Sequence, residues 1–156
     1  MAGEELIRLL DEEGVEYELF PHAHTESAVA EAEAVGVDTA DVAKTLVVAT
    51  PGGYVRAVVP ASDRLDLRKL REITGGARKH VHQATEESLA RDYPEFELGA
   101  VPPLAGARRD RVVVDSRVAE REWVVIEAGS HEQSVRLPTE ALLRLADAQV
   151  ADLREE

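Results

Sequence analysis

The apolar positions of the chain change period several times, and each change marks an element. Leu6, Leu9 and Leu10 recur at helical spacing ahead of Gly14, which predicts an amphipathic first helix. Val15, Tyr17 and Leu19 then alternate as in a half-buried strand that Pro21 ends. The alanine-rich run SAVAEAEAV predicts a second helix with Gly36 at its C-terminal cap, and Asp38 is suited to cap a short helical turn after it. Two apolar runs flank TPGGY, so segments 46–49 and 55–59 are expected to pair as an antiparallel hairpin.

Beyond the hairpin the pattern stays mixed. Asp66 opens a helix carrying Leu67 and Leu70 that Gly75 and Gly76 close, and a short helix is expected over 86–90. Strands are expected over 112–114, 123–126 and 135–137, and a last helix after Pro138 places Leu142, Leu145 and Ala146 on one face. The stretch GAVPPLAG, from Gly99 to Gly106, is too rich in glycine and proline for regular structure. About six strands interleaved with about four or five short helices, with no repeat or low-complexity tract, make a mixed α/β (α+β) fold. The length, 156 residues, fits a single domain over 1–156.

Composition narrows the chemistry. The chain carries 18 basic and 31 acidic residues, a formal net charge of −13, which opposes nonspecific attraction to DNA, RNA or an anionic membrane. Any RNA partner must therefore meet a local basic patch. Cysteine is absent, which excludes disulfides, thiolate zinc sites and a cysteine nucleophile and fits a cytoplasmic protein. The opening MAGEELIRLLDEEG is acidic where a secretory signal is basic, and no apolar run approaches a membrane span.

Few constellations carry chemistry. His22 and His24, in HAHT, share one side of an extended segment, but without a third ligand a surface or substrate-contacting pair is preferred to a metal site, and no cofactor is expected. There is no nucleophile elbow and no phosphate-binding Walker loop. The carboxylates are scattered, as on a solvated acidic surface. Two features stand out. Lys44, one of three lysines among the basic residues, sits where the apolar run LVV begins; it reads either as a lysine snorkelling from a strand end or as a ligand-holding ammonium. The Gly99–Gly106 stretch reads either as a surface loop or as a place where backbone approaches a ligand closely.

In order along the chain stand GVEYEL with the two histidines, EAEAVGVDTADVAKTLVV, AVVPASDRLDLRKLREITGGARK, GAVPPLAG, VVVDSRV, EAGSHEQSVRLPTEALLRL and AQVADL. In this combination the chain resembles the YbaK/EbsC family of aminoacyl-tRNA deacylases, which includes the editing domain inserted in bacterial prolyl-tRNA synthetases. The resemblance implies a mixed, barrel-like sheet flanked by helices, and hydrolysis of mischarged aminoacyl-tRNA in trans. It assigns Lys44, followed by Thr45, to holding the 3′ end at the active-site entrance. It assigns Gly99, with Ala100, Val101 and Pro103, to the loop whose backbone amides position the aminoacyl carbonyl.

The resemblance also implies a pocket with His22, His24 and Val101 on one wall and Gly129, Ser130 and His131 on the other. Its partner would be the acceptor end of aminoacyl-tRNA, with an aminoacyl-tRNA synthetase as a second candidate, and neither membrane nor DNA. Hydrolysis without a side-chain nucleophile is feasible when preorganised N–H donors stabilise the oxyanion. Water, or a substrate group such as the terminal ribose hydroxyl, would then attack. Arg64, Arg68, Lys69, Arg71, Arg78 and Lys79, with Arg108, Arg109 and Arg111, are the residues that could supply a basic patch.

Some positions depart from the family pattern. His22 replaces a tyrosine, AGSHEQ replaces a GGKRG-like turn, and Ala100, Pro102 and Ala105 replace a glycine, a serine and a glycine of the loop. These changes argue against cysteine as the amino acid removed and leave alanine or another small one. Two other functions fit the same residues: a noncatalytic module that binds the RNA end or an aminoacyl-adenylate, and a hydrolase of another small ester.

Overall fold

The computed structural model describes residues 4–156. Its elements run α1 (Glu4–Glu12), β1 (Glu18–Pro21), α2 (Ala28–Val35), β2 (Ala43–Thr50), β3 (Gly53–Pro60), α3 (Leu67–Thr74), β4 (His82–Gln83), α4 (Glu86–Asp92), β5 (Arg111–Asp115), α5 (Ser116–Ala119), β6 (Trp123–Ser130), β7 (Gln133–Pro138), α6 (Thr139–Leu145) and β8 (Gln149–Ala151). The strands form two sheets, one ordered β1-β7-β6 and the other β4-β2-β3-β5-β8. The mixed α/β class expected from the pattern is the one observed. The strands number eight because β4 and β8, with two and three residues, carry no periodic signal of their own.

Local chemistry sets the boundaries. Ser27 caps α2 by accepting from the Ala30 amide, and Gly36 ends it in the left-handed region at φ 80°. Asp38 accepts from the Ala40 amide at 2.9 Å, capping a single 3-10 turn that delivers the chain into β2. β2 and β3 pair in register from Ala43 opposite Pro60 to Thr50 opposite Gly53, the hairpin that TPGG predicts.

β3 is buried on both faces, so its run is nearly continuously apolar. Val55, Ala57 and Val59 pack with Leu70 of α3, Val113 of β5 and Leu153. Val58, Val112 and Val114 face the other way, against Leu6 and Leu10 of α1, Ile126 and Val135 of the three-stranded sheet, and Leu142 of α6.

The sheets do not close into a barrel. Among the described residues they join through one isolated parallel bridge, Val42 to Val125. Ala28 and Ala32 of α2 pack over that seam with Ala61. Past the bridge, β2 and β6 run side by side and part, and a cleft lies between them.

Candidate active site

Two residues beyond the bridge on each strand, with the same pleat parity, stand Lys44 and Glu127. Both line a cleft of about 360 Å³ whose other walls include Ser27 at the start of α2, Thr45, Gly99 and Val101. The fold thus brings Lys44 of the first hairpin and the Gly/Pro loop, far apart in sequence, to one cavity.

Lys44 is half-buried, and burial pushes its ammonium below the usual lysine range, opposed by Asp63. Among the described residues no carboxylate lies within ion-pair distance of it. Lys69 differs: its ammonium reaches Asp152 at 3.0 Å and the Arg154 carbonyl at 2.8 Å.

The loop from Gly99 to Gly106 is anchored from below by Arg56 of β3, which is 1% exposed. Its guanidinium donates to the carbonyls of Pro102 and Ala105, each at 3.0 Å, to the Arg108 carbonyl at 3.3 Å, and to the Asp110 carboxylate at 3.1 Å. Asp110 also accepts from the Tyr93 hydroxyl at 2.5 Å. With these carbonyls turned inward, the Gly99 end of the loop faces the cleft. The Ala100 amide is committed to the Glu97 carbonyl at 3.0 Å, and Pro102 and Pro103 have no N–H. The amides of Gly99 and Val101 find no acceptor among the described residues. Gly99 holds φ 82°. At Gly106 a Cβ would stand 2.7 Å from the Phe96 ring, so only glycine lets the loop close there.

Gly129, Ser130 and His131 form a bulged turn behind this loop. The register of β6 against β7 shifts between Glu127 and Ser130, and Gly129 takes φ 95°. The Glu97 carboxylate accepts from the Ser130 hydroxyl and the His131 amide, both at 3.2 Å, while the Glu97 amide donates to the Gly129 carbonyl. The His131 Nε2–H donates to the Leu98 carbonyl at 2.7 Å. This fixes the ring so that Nδ1 faces the Glu127 carboxyl, 2.9 Å away. That approach is close but off the hydrogen-bond line, and both atoms are buried without a well-directed partner. Burial pushes the Glu127 carboxyl up to about 9, with Glu31, Glu97 and Glu26 adding to the shift.

The two early histidines lie apart in function. His22 Nε2 is 2.9 Å from the Ser134 hydroxyl, which also bonds Glu31 of α2. Glu31 is fully buried, and burial lifts its carboxyl to about 7 against the opposing Ser134 bond. His24 pairs with Glu26 at 2.6 Å, which raises the imidazole, and its ring meets that of His131 edge-on. No group of three or more His, Asp or Glu is gathered for a metal among the described residues.

Of the residues singled out in the sequence, Lys44, Thr45, Gly99 and Val101 therefore line the cleft. Gly129, Ser130, His131 and His24 form the layer behind it. Ala100 is buried within the loop, and Pro103 faces a separate hollow of about 570 Å³ with Arg108, Arg109 and Arg111. Arg108 stacks on Tyr54, and Lys69 and Arg68 approach Asp152 and Asp66, so part of the basic set is engaged within the molecule. Arg56, Glu31 and Glu127 do not stand out in the sequence. Their one signal was a charge inside an apolar run: YVRAVV, AEA and VVIEAG.

A family model described as the aminoacyl-tRNA editing domain matches residues 22–145. The chain is similar to the multifunctional Ser/Thr-tRNA deacylase ProXp-y of Escherichia coli (strain K12), with 28% identity over 159 residues, 99% of this chain and 93% of that protein. It is also similar to EbsC of Enterococcus faecalis, described as a Cys-tRNA(Pro)/Cys-tRNA(Cys) deacylase, with 25% identity over 151 residues, 94% of this chain and 90% of the relative. A crystal structure described as a trans-editing enzyme for prolyl tRNA synthetase matches with a TM-score of 0.88 at 28% identity, over 99% of this chain and 97% of that one. No helix among the described residues is long and apolar enough to cross a membrane.

Proposed function

The chain belongs to the family of aminoacyl-tRNA editing domains, and from that membership we propose that it hydrolyses the ester of a mischarged aminoacyl-tRNA in trans. The observation that carries the reading is the meeting in one cleft of Lys44, which has no ion-pair partner among the described residues, with Gly99 and Val101, whose amides have no acceptor among them. In this reading Lys44 holds a phosphate or ribose oxygen of the 3′-terminal nucleotide, as a compact charge with no ion-pair partner among the described residues. The Gly99 and Val101 amides receive the aminoacyl carbonyl oxygen as it becomes an oxyanion, and losing one such donor typically costs about 2.7–4 kcal/mol.

Arg56 supports the chemistry from a distance. By binding the loop carbonyls it sets the amides before substrate arrives, so no reorganisation is needed in the transition state. Water or the adjacent ribose hydroxyl is the nucleophile, in keeping with the lack of a serine–histidine set at the cleft. Removal of a small amino acid is what a second sieve must do, because a synthetase pocket gains only about 1–3 kcal/mol from one methylene. Ala28, Ala43, Ala61 and Val101 bound a cavity suited to a small acyl group. A synthetase as physical partner belongs to this proposal as the source of the mischarged tRNA.

The test is deacylation of purified tRNAs charged with alanine, serine, cysteine, proline and threonine. Lys44→Ala is expected to lower turnover of the preferred substrate about 10- to 150-fold, the worth of one charge-assisted hydrogen bond, with thermal unfolding unchanged. Equal turnover by wild type and variant would remove Lys44 from the site.

A further inference from the structure

With the cleft taken as the seat of an aminoacyl ester, Glu127 has no part in the scheme above. Yet it occupies a costly position. It lies inside β6, with Ile126 and Ala128 on either side in the core, and its side chain is 16% exposed. Desolvating a carboxyl there is unfavourable unless something compensates. The Glu127–His131 contact compensates poorly, since it lies off the hydrogen-bond line. The other carboxylate in the wall, Glu26, is 82% exposed and already pairs with His24.

The cleft has two chemically different ends, an ammonium and a carboxyl. Lys44 and Glu127 extend from the two strands that part at the Val42–Val125 bridge, and each lines the same cavity. An aminoacyl ester at an RNA terminus has matching ends: a phosphodiester beyond the ribose and an α-ammonium on the carbon next to the ester carbonyl. Lys44 attracts the first and repels the second. With the carbonyl at the Gly99 and Val101 amides, the ammonium is directed to the acidic wall. We propose that Glu127 recognises the α-ammonium of the aminoacyl group and so fixes the direction in which that group lies in the cleft. His131 acts as a positioning residue, its ring locked by the Leu98 carbonyl.

The protons balance. In the free protein the raised carboxyl keeps its proton. As the ammonium docks, the Glu127 O–H bond breaks and the proton passes to His131 Nδ1 or to solvent, leaving a carboxylate against the ammonium. Contact with a hydroxyl on the amino-acid side chain is the competing role for this carboxyl, and it has a separate signature below.

The experiment uses CCA trinucleotides ending in 3′-amino-3′-deoxyadenosine that carry either an alanyl or a lactyl group in amide linkage. The two differ only by ammonium against hydroxyl, and neither can be hydrolysed as an ester. Wild type should bind the alanyl form about 10- to 100-fold more tightly, and Glu127→Gln should bring that ratio to within about twofold. Glu127→Asp, which keeps the charge, should restore part of the ratio. A wild type that does not distinguish the two ligands would overturn the proposal, as would a Glu127→Gln protein that weakens both equally.

With a seryl amide of the same trinucleotide added to the panel, a Glu127→Gln effect seen only between seryl and alanyl forms would also overturn it, by assigning the carboxyl to the side chain. Should Glu127→Gln fail to fold, the wild-type ratio and Glu127→Asp still decide. Turnover of alanyl-tRNA and lactyl-tRNA esters, followed in parallel, separates the two readings. Discrimination without hydrolysis sinks the hydrolase reading alone, and hydrolysis without discrimination sinks the ammonium site alone.

Discussion

Two cations on the neighbouring strands β2 and β3 stand in opposite states. Arg56 is sealed in the core with its donors taken up by three carbonyls and the Asp110 carboxylate. Lys44 is half-buried, opens on a cleft, and has no carboxylate within ion-pair distance among the described residues. The first arrangement is architecture: a guanidinium whose fork geometry matches several acceptors organises a loop that has no regular hydrogen bonding of its own. The second is an ammonium at a cleft with no ion-pair partner among the described residues, which under the proposed reading leaves it open to a substrate oxygen. Satisfaction of polar groups, more than their burial, separates the scaffold from the proposed site.

The strongest way to break the contrast is to empty the scaffold. Arg56→Ala leaves the buried Asp110 with only the Tyr93 hydroxyl and the more distant Arg108, and the loop carbonyls unpaired, and should cost about 3–5 kcal/mol in urea unfolding. A loss below 1 kcal/mol would show that the loop does not depend on it.

Glu31 tests the acidic side of the same contrast. Its carboxyl is raised from the ordinary 4.5 to about 7, so the folded chain holds a proton that the unfolded chain releases. Its contribution to stability is full below pH 4.5 and is lost as pH rises through about 7. Relative to wild type, Glu31→Gln should therefore gain roughly 2–3 kcal/mol between pH 4 and pH 8. Parallel stability curves would place the proton elsewhere.

The smallest expected effect sharpens the comparison between lysines. Lys69→Ala should cost at most about 1 kcal/mol of stability and move turnover by less than about twofold, since its carboxylate partners are exposed and its third contact is one backbone carbonyl. Lys44→Ala should show the reverse: stability within about 0.5 kcal/mol of wild type and turnover strongly reduced.

How far the sequence was legible follows the range of the interactions. The hairpin at TPGG, the caps at Asp38 and Asp66, and the stop at Gly36 are local, and each appears where its residues predict. The alternation of Val15, Tyr17 and Leu19 instead packs Val15 and Tyr17 against the core before β1 begins at Glu18, because pairing with β7 sets the strand. β8 pairs in parallel with β5, and nothing in three residues announces a partner so distant. Within the site, Lys44 and Gly99 could be singled out by residue type and resemblance. Arg56 and Glu127 could not, since an ordinary strand pattern sends every second residue to solvent, and both of these strands are covered on each side.

The Val42–Val125 bridge has one more consequence. Because Lys44 and Glu127 follow it by equal steps, the spacing of the two side chains is tied to strand parity. Point changes can re-tune the cleft freely, but inserting or deleting a single residue between Val42 and Lys44 would swing the ammonium to the opposite side of β2. Related proteins with other amino-acid preferences should therefore differ at this seam by substitution, and accept changes of length only in the turns beyond it.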